Sequence, residues 1–195
     1  LKQDRKNDTV EVIYARCMTN GQYILGKTLG ILAVFLVLNM IVLLMGIGFS
    51  FLNTSATQNV LAYFAYPLLI SLPTLVFILG LSFFIMVLVR NQAVTFILLI
   101  GYIALTVFYL NKKAYHLFDY IAYQVPMMYS SISGFSGFSQ ILLHRSIYLV
   151  LGIGFILLTI FRLQRLPQSP RYARLPLYLG LFFLFAGGLM IWKYL

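Results

Sequence analysis

His116 and Asp119 stand three residues apart, a spacing that can put an imidazole and a carboxylate on one face of a helix. Such a pair could begin a metal site, but the only other histidine, His144, lies 28 residues further on, so a full ligand set is missing. Polar groups at a membrane interface are the simpler reading, and no metal is expected. Cys17 is the single cysteine, which excludes an internal disulfide and a cysteine-based cluster. It falls at the end of a short apolar face and reads as packing rather than as a nucleophile. The acids are Asp4, Asp8, Glu11 and Asp119, and no Ser/His/Asp arrangement can be read from them. An intramembrane protease or a proton relay needs polar groups or carboxylates inside its apolar runs, and the runs here hold no carboxylate. No Gly-rich phosphate loop ending in Lys-Ser/Thr is present, so any ATP that drives this protein is bound elsewhere. The chain is therefore expected to have no catalytic site and no cofactor of its own.

The apolar runs do carry small and mildly polar residues. Asn39, Ser71, Thr74 and Ser82 lie within them, as do Gly46 and Gly48, Gly152 and Gly154, and Gly187 and Gly188. Gly26 and Gly30 form a GxxxG where the chain enters its first run. Close helix packing explains such residues; a substrate path lined by them is the sharper alternative.

The elements that hold these residues follow from composition. Of 195 residues, 62% are hydrophobic and only 9% charged, against roughly 25% charged in a soluble domain. Residues 28–89 contain no Asp, Glu, Lys or Arg. As one helix that stretch would reach ~90 Å, about three hydrocarbon thicknesses, so it must fold back. The expected fold is all-α: a polytopic transmembrane helical bundle of about five spans in the lipid bilayer, with a short amphipathic cytoplasmic helix. The net charge of +10 sits at the ends of the apolar runs, the pattern of span flanks against anionic headgroups and not of nucleic-acid binding.

Residues 1–27 form a polar head. Asp8-Thr9-Val10-Glu11 reads as a capping box, and Val10, Ile13, Tyr14 and Cys17 behind it share one face of a helix over 8–17. A break at 18–21 follows. Thr19 with Gln22 is a second helix start, and this helix runs into the membrane. The transmembrane domain, 28–195, has spans at about 28–52, 60–89, 93–110, 143–163 and 176–194. Pro67 and Pro73 divide the second run, which predicts a bent helix or an interfacial helix that turns into a span near Pro73. Arg90-Asn91-Gln92 closes it. Residues 111–142, rich in Tyr, Phe and Ser, read as an ordered interfacial loop, partly helical over 114–124.

Counting Lys and Arg at alternate ends puts ten on the side of residues 1–27, 90–92 and 164–175. Lys112, Lys113, Arg145 and Lys193 are left as flanks of the other side. The first side is expected to be cytoplasmic, with the N-terminus there and the protein multi-pass in the cell membrane. The polar opening on Leu1, with no signal peptide, reads as a fragment of a longer protein.

The stretch from Asp8 to Gly30 resembles the cytoplasmic segment between the first two spans of ABC-2 type transporter permeases. Those have a short helix ending near an Arg, a small-polar break, and Tyr-x-Leu-Gly-Lys leading into a span. The counterparts here are Arg16, Met18-Thr19-Asn20 and Tyr23-Ile24-Leu25-Gly26-Lys27. The run 60–89 with its inner prolines is similar to the family's middle spans. Arg162-Leu163-Gln164-Arg165-Leu166-Pro167-Gln168-Ser169 is similar to bacterial members fused to a zinc aminopeptidase domain. The motif match covers about 25 residues, Cys17 departs from the small residue common there, and the family's first span is absent, as a fragment would lack it.

The resemblance implies the permease component of an exporter that moves an unknown substrate across the membrane, paired with a second permease half, the same or different, and driven by a separate ABC ATPase subunit. The helix over 8–17 would be the coupling helix, its apolar face of Val10, Ile13, Tyr14 and Cys17 filling a groove or lying against the membrane surface, with Arg16 at the rim. Two other classes stay open: the membrane anchor of a fused enzyme, such as a zinc aminopeptidase, and a non-transporting membrane scaffold or sensor.

Overall fold

A computed structural model of the chain describes residues 18–52, 64–110, 117–122, 129–130, 134–135, 138–163 and 174–194. The described residues are almost entirely helical. Helix α1 is Asn20–Leu52, α2 is Leu72–Val89, α3 is Gln92–Leu105, α4 is Phe138–Arg162 and α5 is Arg174–Tyr194. π-helical turns extend α2 at its start (Pro67–Ser71) and α3 at its end (Thr106–Leu110). A two-residue antiparallel ladder, β1 (Tyr129–Ser130) with β2 (Gly134–Phe135), lies between α3 and α4, with Tyr129 opposite Phe135. Five helical stretches are long and apolar enough to cross a membrane. The fold is the all-α, five-span bundle that the apolar runs predict.

Local chemistry sets the ends of these helices. Gln22 N donates to Thr19 Oγ1 at 3.2 Å and Thr19 N donates to Gln22 Oε1 at 2.9 Å, the reciprocal capping box read from the sequence. Helix α1 then runs 33 residues, about 50 Å, longer than the hydrocarbon layer it would cross. Its foot, Asn20–Lys27, is the end of the sequence's polar head and is continuous with the apolar run in one helix. At the end of α2, Arg90 takes the left-handed conformation (φ 56°) and its N–H bonds Met86 O. Asn91 then caps α3, its Oδ1 accepting from Ala93 N at 3.0 Å.

The two prolines of the second run do not break it. Helix continues from Phe64 to Val89, and the Leu72 N–H reaches back to Pro67 O across one widened turn. Proline at 73 would crowd the carbonyl four residues before it, and a π turn at that point supplies the room.

Helix α4 is the axis of the bundle and its best buried element. It runs parallel to α2: Arg145 meets Thr74, Tyr148 meets Phe77 and Gly152 meets Gly80. It runs antiparallel to α5, with Gly154 against Gly180 and Gly187 against Leu151. Helix α1 is antiparallel to α4, its Asn20 beside Leu163, and α3 is antiparallel to α2, its Thr95 beside Met86 and its Tyr102 beside Phe77. Consecutive spans thus alternate in direction. One end of the bundle gathers Asn20, Arg90 and Arg162; the other gathers Leu110, Phe138 and Tyr194.

Gly80 and Gly152 explain the α2–α4 contact. A Cβ on Gly80 would lie 2.4 Å from Gly152 O, and one on Gly152 would lie 2.7 Å from Phe77 N. The backbones touch, which only glycine allows. The other predicted approach points divide. Gly154 and Gly187 are packed, whereas Gly26, Gly30, Gly46, Gly48 and Gly188 meet nothing within 4 Å. The GxxxG at 26 and 30 is therefore no packing point among the described residues. Beyond its foot, α1 exposes Leu29, Val34, Val37, Val42, Leu44 and Phe49, a surface suited to lipid.

Two expectations are corrected. Helix α4 begins at Phe138, so Phe138–Leu142 belong to the helix and not to the loop. Residues 117–122 are turns, not helix. Tyr120 N bonds Phe118 O, Ala122 N bonds Asp119 O, and Ala122 has φ 63°, which stops helical propagation.

Candidate functional site: a buried arginine at the Tyr194 end

Arg145 lies in the second turn of α4, and its side chain is 1% exposed. Its charge cannot be discharged by deprotonation, so partners must come from neighbouring elements. Nη1 donates to Tyr120 O at 2.9 Å and to Thr74 Oγ1 at 3.1 Å. Nη2 donates to Asp119 O at 2.9 Å and lies 3.4 Å from His144 Nδ1. Arginine can only donate, so this contact is a hydrogen bond in the ring form that leaves Nδ1 unprotonated. Arg145 Nε is buried with no hydrogen-bond partner among the described residues.

The same pattern extends to Tyr148, one turn on. Its hydroxyl donates to Leu117 O. Its ring meets Phe77 edge-on at 5.0 Å and His144 at 5.3 Å, and the guanidinium of Arg145 sits 5.5 Å from its centroid. Tyr120 completes the cluster against Phe77 and Tyr102, with centroids 6.2 and 5.7 Å away. Burial, and then the neighbouring Asp119 carboxylate, push the Tyr120 hydroxyl above its ordinary range. Tyr194, at the end of α5, meets the His144 ring at a tilt, with centroids 5.3 Å apart. Three helices (α2, α3 and α4) thus meet the segment 117–122, and α2 and α4 hold it by its backbone carbonyls.

The sequence reading of this site needs correction. Arg145 reads in the sequence as a flank of the fourth span, but α4 starts seven residues before it and its side chain is buried. Its face was legible. Arg145, Tyr148, Gly152, Ile156 and Thr159 fall at helical spacing and are all buried. His144 and Asp119 are buried within the cluster, while His116 lies outside the described residues. Val10, Ile13, Tyr14, Arg16 and Cys17, the expected coupling face, also lie outside them.

The small polar residues of the spans act in helix contacts. Ser71 Oγ donates to Asn39 Oδ1 at 3.1 Å and so joins the second helical run to α1, while Asn39 Nδ2 donates to Phe35 O. At the opposite end, Tyr23 and Ile24 form a core with Val76, Ile156 and Ile160, and Asn20 Nδ2 donates to Leu163 O at 2.8 Å. No family model matches this chain, and no curated protein or solved structure matches it either.

Proposed function

We propose that this protein is the membrane-spanning permease component of an ATP-driven exporter of the ABC-2 type. It would move a substrate across a bacterial inner membrane with a separate ATPase subunit and a second permease half, and would bind no cofactor itself. The Asn20 end would face the cytoplasm. The reading rests first on the resemblance of Asp8–Gly30 to the coupling segment of that family.

One structural observation supports it. The foot of α1, which lies within that segment, is the packed part of α1. Tyr23 and Ile24 are buried against the last turns of α4, and Asn20 holds Leu163 O. A force on the residues before Met18 would reach the central helix through these contacts rather than through the lipid-facing length of α1. An ATPase that moved the helix over 8–17 would thereby move α4.

Membrane co-immunoprecipitation of the ATPase tests this reading. Ile13→Asp with Tyr14→Ala should leave insertion and expression intact while weakening ATPase capture and stimulation. Normal capture and stimulation in that double variant would remove the coupling role and leave a scaffold or an enzyme anchor.

A further inference from the structure

We propose that Leu117–Ala122 is a strap that opens as a unit, with Arg145 and Tyr148 as its clasp and Thr74 as a two-position latch. The strap is tied by its backbone. Tyr148 Oη holds Leu117 O, Arg145 holds Asp119 O and Tyr120 O, and Thr74 Oγ1 lies 2.8 Å from Tyr120 O. The donors belong to two parallel helices, α2 and α4, so the closed strap bridges their ends.

Two features leave the clasp of the closed form incompletely satisfied, and a third lies in the backbone of the strap. Arg145 Nε has no acceptor among the described residues, although the guanidinium is buried and charged. The Thr74 hydroxyl has one proton and two acceptors at 2.8 Å, Tyr120 O on the strap and Ile70 O in its own helix. When the proton goes to Ile70 O, Tyr120 O is held by Arg145 alone. Ala122, at the strap's end, stands at φ 63°, a conformation an alanine leaves readily. The π turns at Pro67–Ser71 and Thr106–Leu110 lie at this same end, and such turns frequently mark functional sites. Opening turns the Thr74 proton to Ile70 O, frees three carbonyls, and lets the Arg145 guanidinium reach water.

Hydrogen exchange of the full chain in lipid nanodiscs, read by mass spectrometry, tests this. In the unsubstituted protein the amides of Tyr120 and Ala122 should exchange together, about tenfold or more faster than those of Gly152–Thr159 in α4. Arg145→Lys keeps the charge but loses the planar fork, and should speed strap exchange about tenfold while leaving Gly152–Thr159 unchanged. Tyr148→Phe removes one hydroxyl and should give a smaller rise confined to the strap. Strap exchange no faster than that of α4 in the unsubstituted protein would overturn the proposal. So would equal acceleration of strap and α4 in both variants, because the cluster would then be a brace of the whole fold.

Discussion

Asn20 Nδ2 donates to the carbonyl of Leu163 at 2.8 Å, a bond between residues 143 apart that ties the first turn of α1 to the last turn of α4. Arg162 ends α4, so Leu163 O is one of the carbonyls that the helix itself leaves without a donor. The α1 foot supplies that donor and so caps α4 from outside. Removing it with Asn20→Ala should cost about 1 kcal/mol, read as a lower midpoint of thermal unfolding in detergent. The Thr19–Gln22 box should survive, since neither of its bonds uses Asn20.

The α2–α4 contact makes a sharper prediction. Gly152→Ala and Gly80→Ala each place a Cβ inside the contact distance of a backbone atom, at 2.7 and 2.4 Å. Backbone cannot rotate away, so the helices must part, at a cost of about 1–3 kcal/mol each. Gly30→Ala and Gly48→Ala meet nothing within 4 Å and should be neutral or stabilising by up to about 1 kcal/mol. Equal effects at the two pairs of sites would show that α2 and α4 do not touch through glycine.

What the sequence could show follows from how local each cause is. The spans are legible because an apolar run of about 20 residues is a property of the run alone. The Thr19 cap and the Arg90-Asn91 junction are equally local, since each involves residues within a few positions. Arg145 is different. Its depth is fixed by Asp119 O and Tyr120 O, 26 and 25 residues before it, and carbonyls carry no side-chain signature. Beside an apolar run it therefore reads as a flank. The turns at 117–122 are hidden for the same reason: their carbonyls are claimed by α4 and α2, not by a helix of their own. The π turn before Pro73 shows the reverse, a visible proline whose remedy, one wide turn, leaves no mark in the sequence.

Asn39 gives a modest prediction. It is the acceptor for Ser71 Oγ at 3.1 Å on the otherwise exposed length of α1. Polar pairs between spans average about 0.6 kcal/mol. Asn39→Leu should therefore destabilise the bundle by less than about 1 kcal/mol, measured by denaturant titration in mixed micelles. A loss of several kcal/mol would mean that Asn39 supports more than this single contact.

The alternation of the helices turns the charge bias into a statement about sidedness. Lys27, Arg90, Arg162 and Arg174 lie at or near the Asn20 end of their helices, while Arg145 and Lys193 lie toward the other. Cytoplasmic flanks are the basic ones, so the α2–α3 junction should face the cytoplasm and the start of α4 should face outward. Gln92 and Ser139 are exposed residues in the first turns of α3 and α4, and replacing either leaves every charge in place. In a Cys17→Ser background, Ser139→Cys should react with a membrane-impermeant thiol reagent in intact cells. Gln92→Cys should react only after the membrane is made permeable. Labelling of Gln92→Cys in intact cells with protection of Ser139→Cys would invert the orientation and remove the cytoplasmic placement of the α1 foot. Reaction at both sites in intact cells would break the alternation itself, because antiparallel neighbours crossing a bilayer cannot present both junctions to one side.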